Sequence, residues 1–251
     1  MKAIILAAGV GSRLGDVTKT TPKCLINIGS KIIAEHQIEA LTANNITDIS
    51  IVIGHQAEKV KTALKNKNAK FYENKDYDKT GMLESLFCAK EELNDDVIML
   101  YGDVVFREDL IRKIIQDKSD FCLVVDRGKE ILHQSEEAFE EYHGEKIAKG
   151  STKVNIVNGI VKKISKDMPK EEASAEYIGI SKFSKKAVWI IYNRIKELLA
   201  SDEIKKYPSP SHLFKWLINN GHDIHVVYTD GILYEEIDYA DDLASAKKKF
   251  S

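Results

Sequence analysis

The sequence predicts an α/β protein with a mixed, mainly parallel central sheet flanked by helices, and three observations predict it. The run KAIILAA at residues 2–8 is apolar, ends in glycines and is too short for a buried helix, so it reads as a buried parallel strand. Segments of helical period then alternate with short β-branched runs as far as Asp126. After Arg127 the rhythm changes to two alternating runs, TKVNIV and IVKKIS, joined by Asn158-Gly159, a strong signal for an antiparallel hairpin.

In chain order, a loop follows the first strand up to Gly29. Ile33, Ile38 and Leu41 then recur at helical spacing between Ser30 and about Asn45. Ile49 to Ile53 make the second strand. A helix over 56–66, a strand over 69–72, a helix over 82–93, a strand over 96–101, a helix over 108–117 and a strand over 120–126 continue the alternation. A charged stretch runs from Arg127 to about Gly150 and precedes the hairpin. EYIGISKF (176–183) reads as a strand, helices follow near 184–200 and 211–220, and DIHVVY and ILYEEI supply two late strands before a C-terminal helix. We expect one compact domain over 1–251, with a nucleotide-binding half in 1–126 and an acceptor-shaping half in 127–251.

Composition excludes several classes of protein. With 43% hydrophobic and 30% charged residues and a net charge of -2, nothing suggests nucleic acid or an anionic membrane as partner. No apolar stretch is long enough to cross a bilayer, and Gly9, Gly11, Arg13 and Asp16 interrupt the only run resembling a leader. Cys24, Cys88 and Cys122 form no C-x-x-C pair, so a disulfide framework and a zinc site are both unexpected and a cytoplasmic, reducing setting is expected. The sequence leaves the oligomeric state open.

Four places could carry chemistry. Leu6, Ala8, Gly9, Gly11, Ser12 and Arg13 lie in a glycine loop at the carboxyl end of the first strand, where open α/β sheets bind ligands. Glycines let backbone N–H groups approach phosphate oxygens, and Arg13 offers a charge-assisted fork. The loop satisfies neither the dinucleotide fingerprint nor a P-loop, so a plain tight turn is its alternative. Lys23 follows Pro22 and can place a point charge on a triphosphate; the alternative is an ordinary surface lysine. Asp103 follows Tyr101 and Gly102 at the end of the strand VIML, and Asp238 closes Glu236-Ile237-Asp238. Both acids suit Mg²⁺, which takes one or two carboxylates plus phosphate oxygens, although Asp238 could equally cap the last helix, with Asp241 and Asp242 as helix-start acids. Tyr101, Tyr177, Trp189 and Tyr234 could cage a quaternary ammonium or simply fill the core.

LAAGVGSRL followed by TPKCL, together with Gly102-Asp103 and EIDYADDL, resembles the nucleotidyltransferases that activate sugar phosphates and small phospho-alcohols. The resemblance implies a Rossmann-like, GT-A-like fold. It also implies triphosphate binding by Gly9, Gly11, Ser12, Arg13 and Lys23, and metal binding by Asp103 and Asp238. The stretch Asn74 to Leu86, with Gly81 and Ser85, lacks the Gln-x-x-x-Gly-Thr-Ala pattern of hexose-1-phosphate members. It is more similar to the cytidylyltransferases of phosphocholine and 2-aminoethylphosphonate, as is Glu176-Tyr177-Ile178-Gly179-Ile180. Gly81, where asparagine is common, and Ala175, in place of a glycine, depart from that pattern. The implied partners are CTP and a small phosphorylated or phosphonylated acceptor, phosphoglutamine among them, with Asp126, Glu176 and Tyr177 as candidate acceptor contacts. A hexose-1-phosphate nucleotidyltransferase and a non-catalytic nucleotide sensor are the alternatives.

Overall fold

The computed structural model describes residues 1–127 and 151–250. The charged stretch 128–150 noted in the sequence lies outside the described residues. Strand β1 (Lys2–Ala7) has its apolar side chains buried on both faces. Ala3 and Ile5 enter one core with Leu41, Val60 and Ile114, while Ile4 and Leu6 enter a second with Leu83, Leu86 and Ile191. This division places helices on both sides of the sheet, as the apolar run required.

Beyond β1 lies a two-stranded ribbon, β2 (Asn27–Ile28) with β3 (Lys31–Ile32), and helix α1 (Asp16–Thr20) precedes it; the sequence showed only a loop here. Then come α2 (Ile33–Thr42), β4 (Ile49–Ile53), α3 (Ala57–Ala63), β5 (Ala69–Glu73), α4 (Met82–Cys88), β6 (Val97–Tyr101), β7 (Val104–Phe106), α5 (Asp109–Gln116) and β8 (Phe121–Asp126). The second part contains β9 (Thr152–Val157), β10 (Ile160–Ser165), β11 (Ala175–Phe183), α6 (Lys185–Ala200), α7 (Pro210–Asn219), β12 (Ile224–Tyr228), β13 (Tyr234–Glu236) and α8 (Ala240–Phe250). Asn158 (φ 52°) and Gly159 (φ 76°) both take left-handed backbone between β9 and β10, the geometry of a type I′ hairpin turn.

Among the described residues, nine strands form one sheet in the order β5-β4-β1-β6-β11-β8-β12-β10-β9. The β5, β4, β1 and β6 neighbours are parallel, and β12 is parallel to β8. The difference from expectation is β11, which inserts antiparallel between β6 and β8. Every residue of β11 except Glu176 is buried, so it takes an interior position that sequence order alone does not assign. Its first residues also pair with β9, so β11, β8, β12, β10 and β9 close a ring of pairings at one end of the sheet. A separate ribbon joins β13 to β7.

At the amino ends of the parallel strands, Glu92 follows α4 and is 4% exposed. It accepts from Lys2 (2.7 Å), Lys70 (2.9 Å) and Tyr72 (2.6 Å), tying β1 to β5. Burial works to raise its pKa, but these donors outweigh burial and hold it at about 2. A folded pKa below the usual carboxylate value of about 4.3 stabilises the fold above that pH and ceases to do so as the pH falls toward 2. Glu92→Gln replaces an acceptor by a donor facing ammonium groups. It is expected to destabilise the protein by about 2 kcal/mol near neutrality. In denaturant titrations the gap from wild type should narrow as the pH drops from about 4.3 toward about 2.

Candidate active site

A cavity of about 350 Å³ opens at the carboxyl ends of β1 and β6. Its floor is the loop after β1, with Leu6, Ala8, Gly9 and Gly11 in the lining. Gly11 adopts φ 68°, and Thr18 Oγ1 donates to its carbonyl at 2.8 Å, which fixes the turn before Ser12–Leu14. The segment after that turn is tied to α3, since Gln56 Nε2 and Lys59 Nζ donate to the Lys19 and Thr20 carbonyls at 2.9 and 2.7 Å.

Charged side chains from three distant segments meet at one end of the cavity. Lys23 Nζ donates to Asp103 Oδ2 at 2.9 Å and to Asp238 Oδ1 at 2.7 Å. Arg13 reaches the other oxygen of Asp238 at 2.6 Å. Asp103 follows β6 directly, and Asp238 is delivered by the β7–β13 ribbon, where Ile237 N donates to the Asp103 carbonyl at 2.9 Å. Burial works to lower the Lys23 pKa, but the charges of Asp103 and Asp238 outweigh it and raise the value. Burial works to raise the Asp238 pKa, and the Lys23 and Arg13 charges bring it below its ordinary value. Asp103 Oδ1 is buried with no hydrogen-bond partner among the described residues. Two strand-end acids with one unmet oxygen fit a hard divalent cation, because Mg²⁺ requires no third carboxylate when phosphate oxygens complete its sphere.

The helix-cap reading of Asp238 does not describe its side chain. Asp242 takes that part instead, its Oδ2 accepting from Asp238 N at 2.9 Å and Tyr239 N at 2.8 Å at the start of α8. Cys24 also lines the cavity, where burial pushes its thiol up to about 12 and leaves it protonated, so no thiolate nucleophile is available.

The structure brings Gly81, Ser85, Tyr101, Gly102 and Tyr177 into the lining. Ser85 Oγ accepts from Asn74 Nδ2 at 3.0 Å, and Gly81 packs so close to Pro208 that a Cβ would lie 2.5 Å from its carbonyl oxygen. Ser12 is exposed and outside the lining. Asp126 and Glu176 are also outside it. The Asp126 oxygens accept from Thr229 (2.5 Å) and Tyr234 (2.9 Å), and Glu176 accepts from Ser151 (3.0 Å). Glu176 and Tyr177 are adjacent on one strand and so face opposite sides; only Tyr177 reaches the cavity. Trp189 is 63% exposed on α6, stacked on Tyr192, and does not line the cavity.

Two charged lining residues escaped the sequence reading. Glu236 lies two residues before Asp238, and its charge, after burial, contributes to raising the Tyr101 and Tyr177 phenol pKa values. Lys166 also lines the cavity. The period of two was the available signal for Glu236, since Tyr234 and Glu236 share one face of β13 while Glu235 turns to Lys249.

A glycine loop and a basic pair facing two strand-end acids, gathered at the carboxyl ends of the parallel strands β1 and β6, define a nucleotidyltransferase of the Rossmann-like class. Residues 3–171 match the MobA-like NTP transferase domain, and the chain belongs to that family. The CTP:phosphoglutamine cytidylyltransferase of Campylobacter jejuni is 33% identical over 218 residues, covering 81% of this chain and 78% of that protein. The choline-phosphate cytidylyltransferase of Streptococcus pneumoniae is 36% identical over 116 residues, which is 45% of this chain and about half (51%) of that protein. The solved structure of the CTP:phosphocholine cytidylyltransferase from Streptococcus pneumoniae covers 100% of this chain and 99% of its own, with a TM-score of 0.74 at 23% identity, a likeness of fold.

The cavity wall depends on Gly179, where β11 bulges between Tyr177 and Ser181. Gly179 has φ 81°, and a Cβ there would lie 2.7 Å from the Tyr101 ring. Gly179→Ala therefore combines backbone strain with a clash that displaces Tyr101. A loss of about 2 kcal/mol in thermal unfolding is expected, with a change in near-ultraviolet tyrosine dichroism.

Proposed function

We propose that this protein is a Mg²⁺-dependent cytidylyltransferase that joins CMP from CTP to a small phosphate or phosphonate head group and releases pyrophosphate. The observation that carries the reading is the cluster of Arg13, Lys23, Asp103 and Asp238 beside the glycine loop. The CTP named for the Campylobacter jejuni and Streptococcus pneumoniae relatives supports the choice of nucleotide.

On this reading, the N–H groups of the loop around Gly9 and Gly11 hold the triphosphate, and Leu6, Ala8, Gly81, Ser85 and Gly102 border the nucleoside. The acceptor oxygen, already anionic near neutral pH, attacks the α-phosphorus in line; the bond from that phosphorus to the bridging oxygen breaks and pyrophosphate leaves. No general base is needed, so the protein's task is to align two anions and offset their repulsion. Asp103 and Asp238 would hold Mg²⁺, which when bound supplies Lewis-acid stabilisation of the phosphate oxygens. Lys23 and Arg13 move from the carboxylates toward phosphate oxygens, which their flexible stems permit. Glu236 lines the cavity and Asp126 and Glu176 do not, so on this reading Glu236 is the carboxylate assigned to an ammonium on the acceptor.

Steady-state assays of pyrophosphate release test these roles. Asp103→Asn and Asp238→Asn should each lower kcat by about a hundredfold or more with an unchanged circular dichroism spectrum. Normal turnover by Asp238→Asn would remove that residue from the reaction. Glu236→Gln should raise KM for an amine-bearing acceptor by about tenfold and leave KM for CTP within about twofold, whereas Glu176→Gln should shift neither.

A further inference from the structure

The part of the cavity wall contributed by the ends of β9, β10 and α7 has no acid in its lining among the described residues. It is formed by Ser151 and Thr152 at the start of β9, Lys166 just past β10, and Ser209 and Ser211 at the start of α7. Backbone pairing holds these groups together. Thr152 is the register partner of Tyr177, and Lys153 Nζ donates to the Lys166 carbonyl at 2.8 Å, so Lys166 stays beside the first residues of β9. The Ser209 hydroxyl bonds to Ser211 Oγ at 2.8 Å and to His212 Nδ1 at 2.9 Å, which fixes both serines at the cavity edge. His212 lies in a positive field: burial first, then the charges of Lys215 and Lys166, lower its pKa. Many lysines of this protein are ion-paired, but the Lys166 ammonium has no partner among the described residues.

We propose that this wall recognises a carboxylate on the acceptor, at the end remote from its phosphate, with Lys166 as counter-ion and the Ser209 and Ser211 hydroxyls as donors. The inference rests on the transferase reading and deepens it. A quaternary or primary ammonium at this end would meet an unpaired ammonium, a repulsion that a carboxylate turns into attraction. Glu236 lines the same cavity, so the cavity offers both an anionic and a cationic side chain to an amino-acid group. The acceptor class is thus a phosphorylated amino acid or amino-acid amide, as distinct from a phosphorylated amino alcohol.

Matched acceptors that differ only in that carboxylate provide the test: O-phosphoserine against phosphoethanolamine, and phosphoglutamine against its analogue lacking the α-carboxylate, each with CTP and Mg²⁺. The wild-type protein should favour the carboxylate member of a pair by about tenfold or more in kcat/KM. Lys166→Ala should bring that ratio to within about twofold of unity, and Lys166→Glu should invert it, while KM for CTP changes by less than about twofold. Equal or faster use of the carboxylate-free members by wild type overturns the inference and leaves the transferase reading standing. So does a Lys166→Ala variant that keeps the ratio but loses CTP affinity, which would assign the lysine to the nucleotide. Absence of pyrophosphate release with every acceptor from folded protein overturns the transferase reading and this inference together.

Discussion

The Lys23 ammonium between Asp103 and Asp238 is the contact on which the geometry of the site depends. It joins the loop after β1, the end of β6 and the segment after β13, which are separated by 80 and 215 residues in the chain. Lys23 is mostly buried, with 12% of its side chain exposed, so its attraction to the acids acts through less water than a surface pair would. Each acid alone would face a costly loss of solvent, and together they would repel each other. The lysine makes the cluster tolerable, and the pKa directions agree: the lysine is raised and Asp238 lowered. The same contact sets the work that substrate must do, since any cation or phosphate entering the site competes with an existing ion pair.

The sheet explains why such a cluster can form at all. Parallel strands β1 and β6 end side by side, with Leu6 in register with Tyr101, so whatever follows both strands shares one edge. Gly102 N donates to the Leu6 carbonyl at 2.9 Å and carries Asp103 back over that edge. The antiparallel β11 then raises a wall, because its bulge at Gly179 allows one end to pair with β6 and the other with β9. A parallel edge thus supplies the end of the cavity that holds Lys23 and Asp103, and the closed ring of strands contributes Thr152 and Tyr177 to its lining.

Much of this was legible in the sequence, and the rest was illegible for identifiable reasons. Buried strands such as Ile49 to Ile53 announce themselves by apolar runs, and the hairpin by Asn158-Gly159, because those signals are local. The place of β11 between β6 and β8 depends on which strands pair across 50 residues or more, which no local period encodes. The ribbon of β7 with β13 was hidden for the same reason, and each partner has only three residues. Arg13, Lys23, Asp103 and Asp238 stood out because their motifs sit at strand ends. Asp126 and Glu176 have the charge and the strand position of an acceptor contact, but neither lines the cavity. Alternation along β11 puts Glu176 opposite Tyr177, whereas Glu236 escaped notice although it shares a motif with Asp238.

The charges lining the cavity bear on why a transferase with this site would need a metal ion. Arg13, Lys23 and Lys166 are cationic and Asp103, Glu236 and Asp238 are anionic, so their formal charges cancel. A nucleoside triphosphate and a phosphate acceptor each bring more than one negative charge into that neutral enclosure, where separated charge interacts more strongly than in water. Moving Arg13 and Lys23 onto the phosphates cannot cure the excess, because it exposes two carboxylates that those side chains now neutralise. The charge balance closes only if something positive replaces them between Asp103 and Asp238. On the proposed reading a divalent cation arriving with the triphosphate would meet that requirement, and the buried Oδ1 of Asp103, which has no hydrogen-bond partner among the described residues, would be a ligand atom for it.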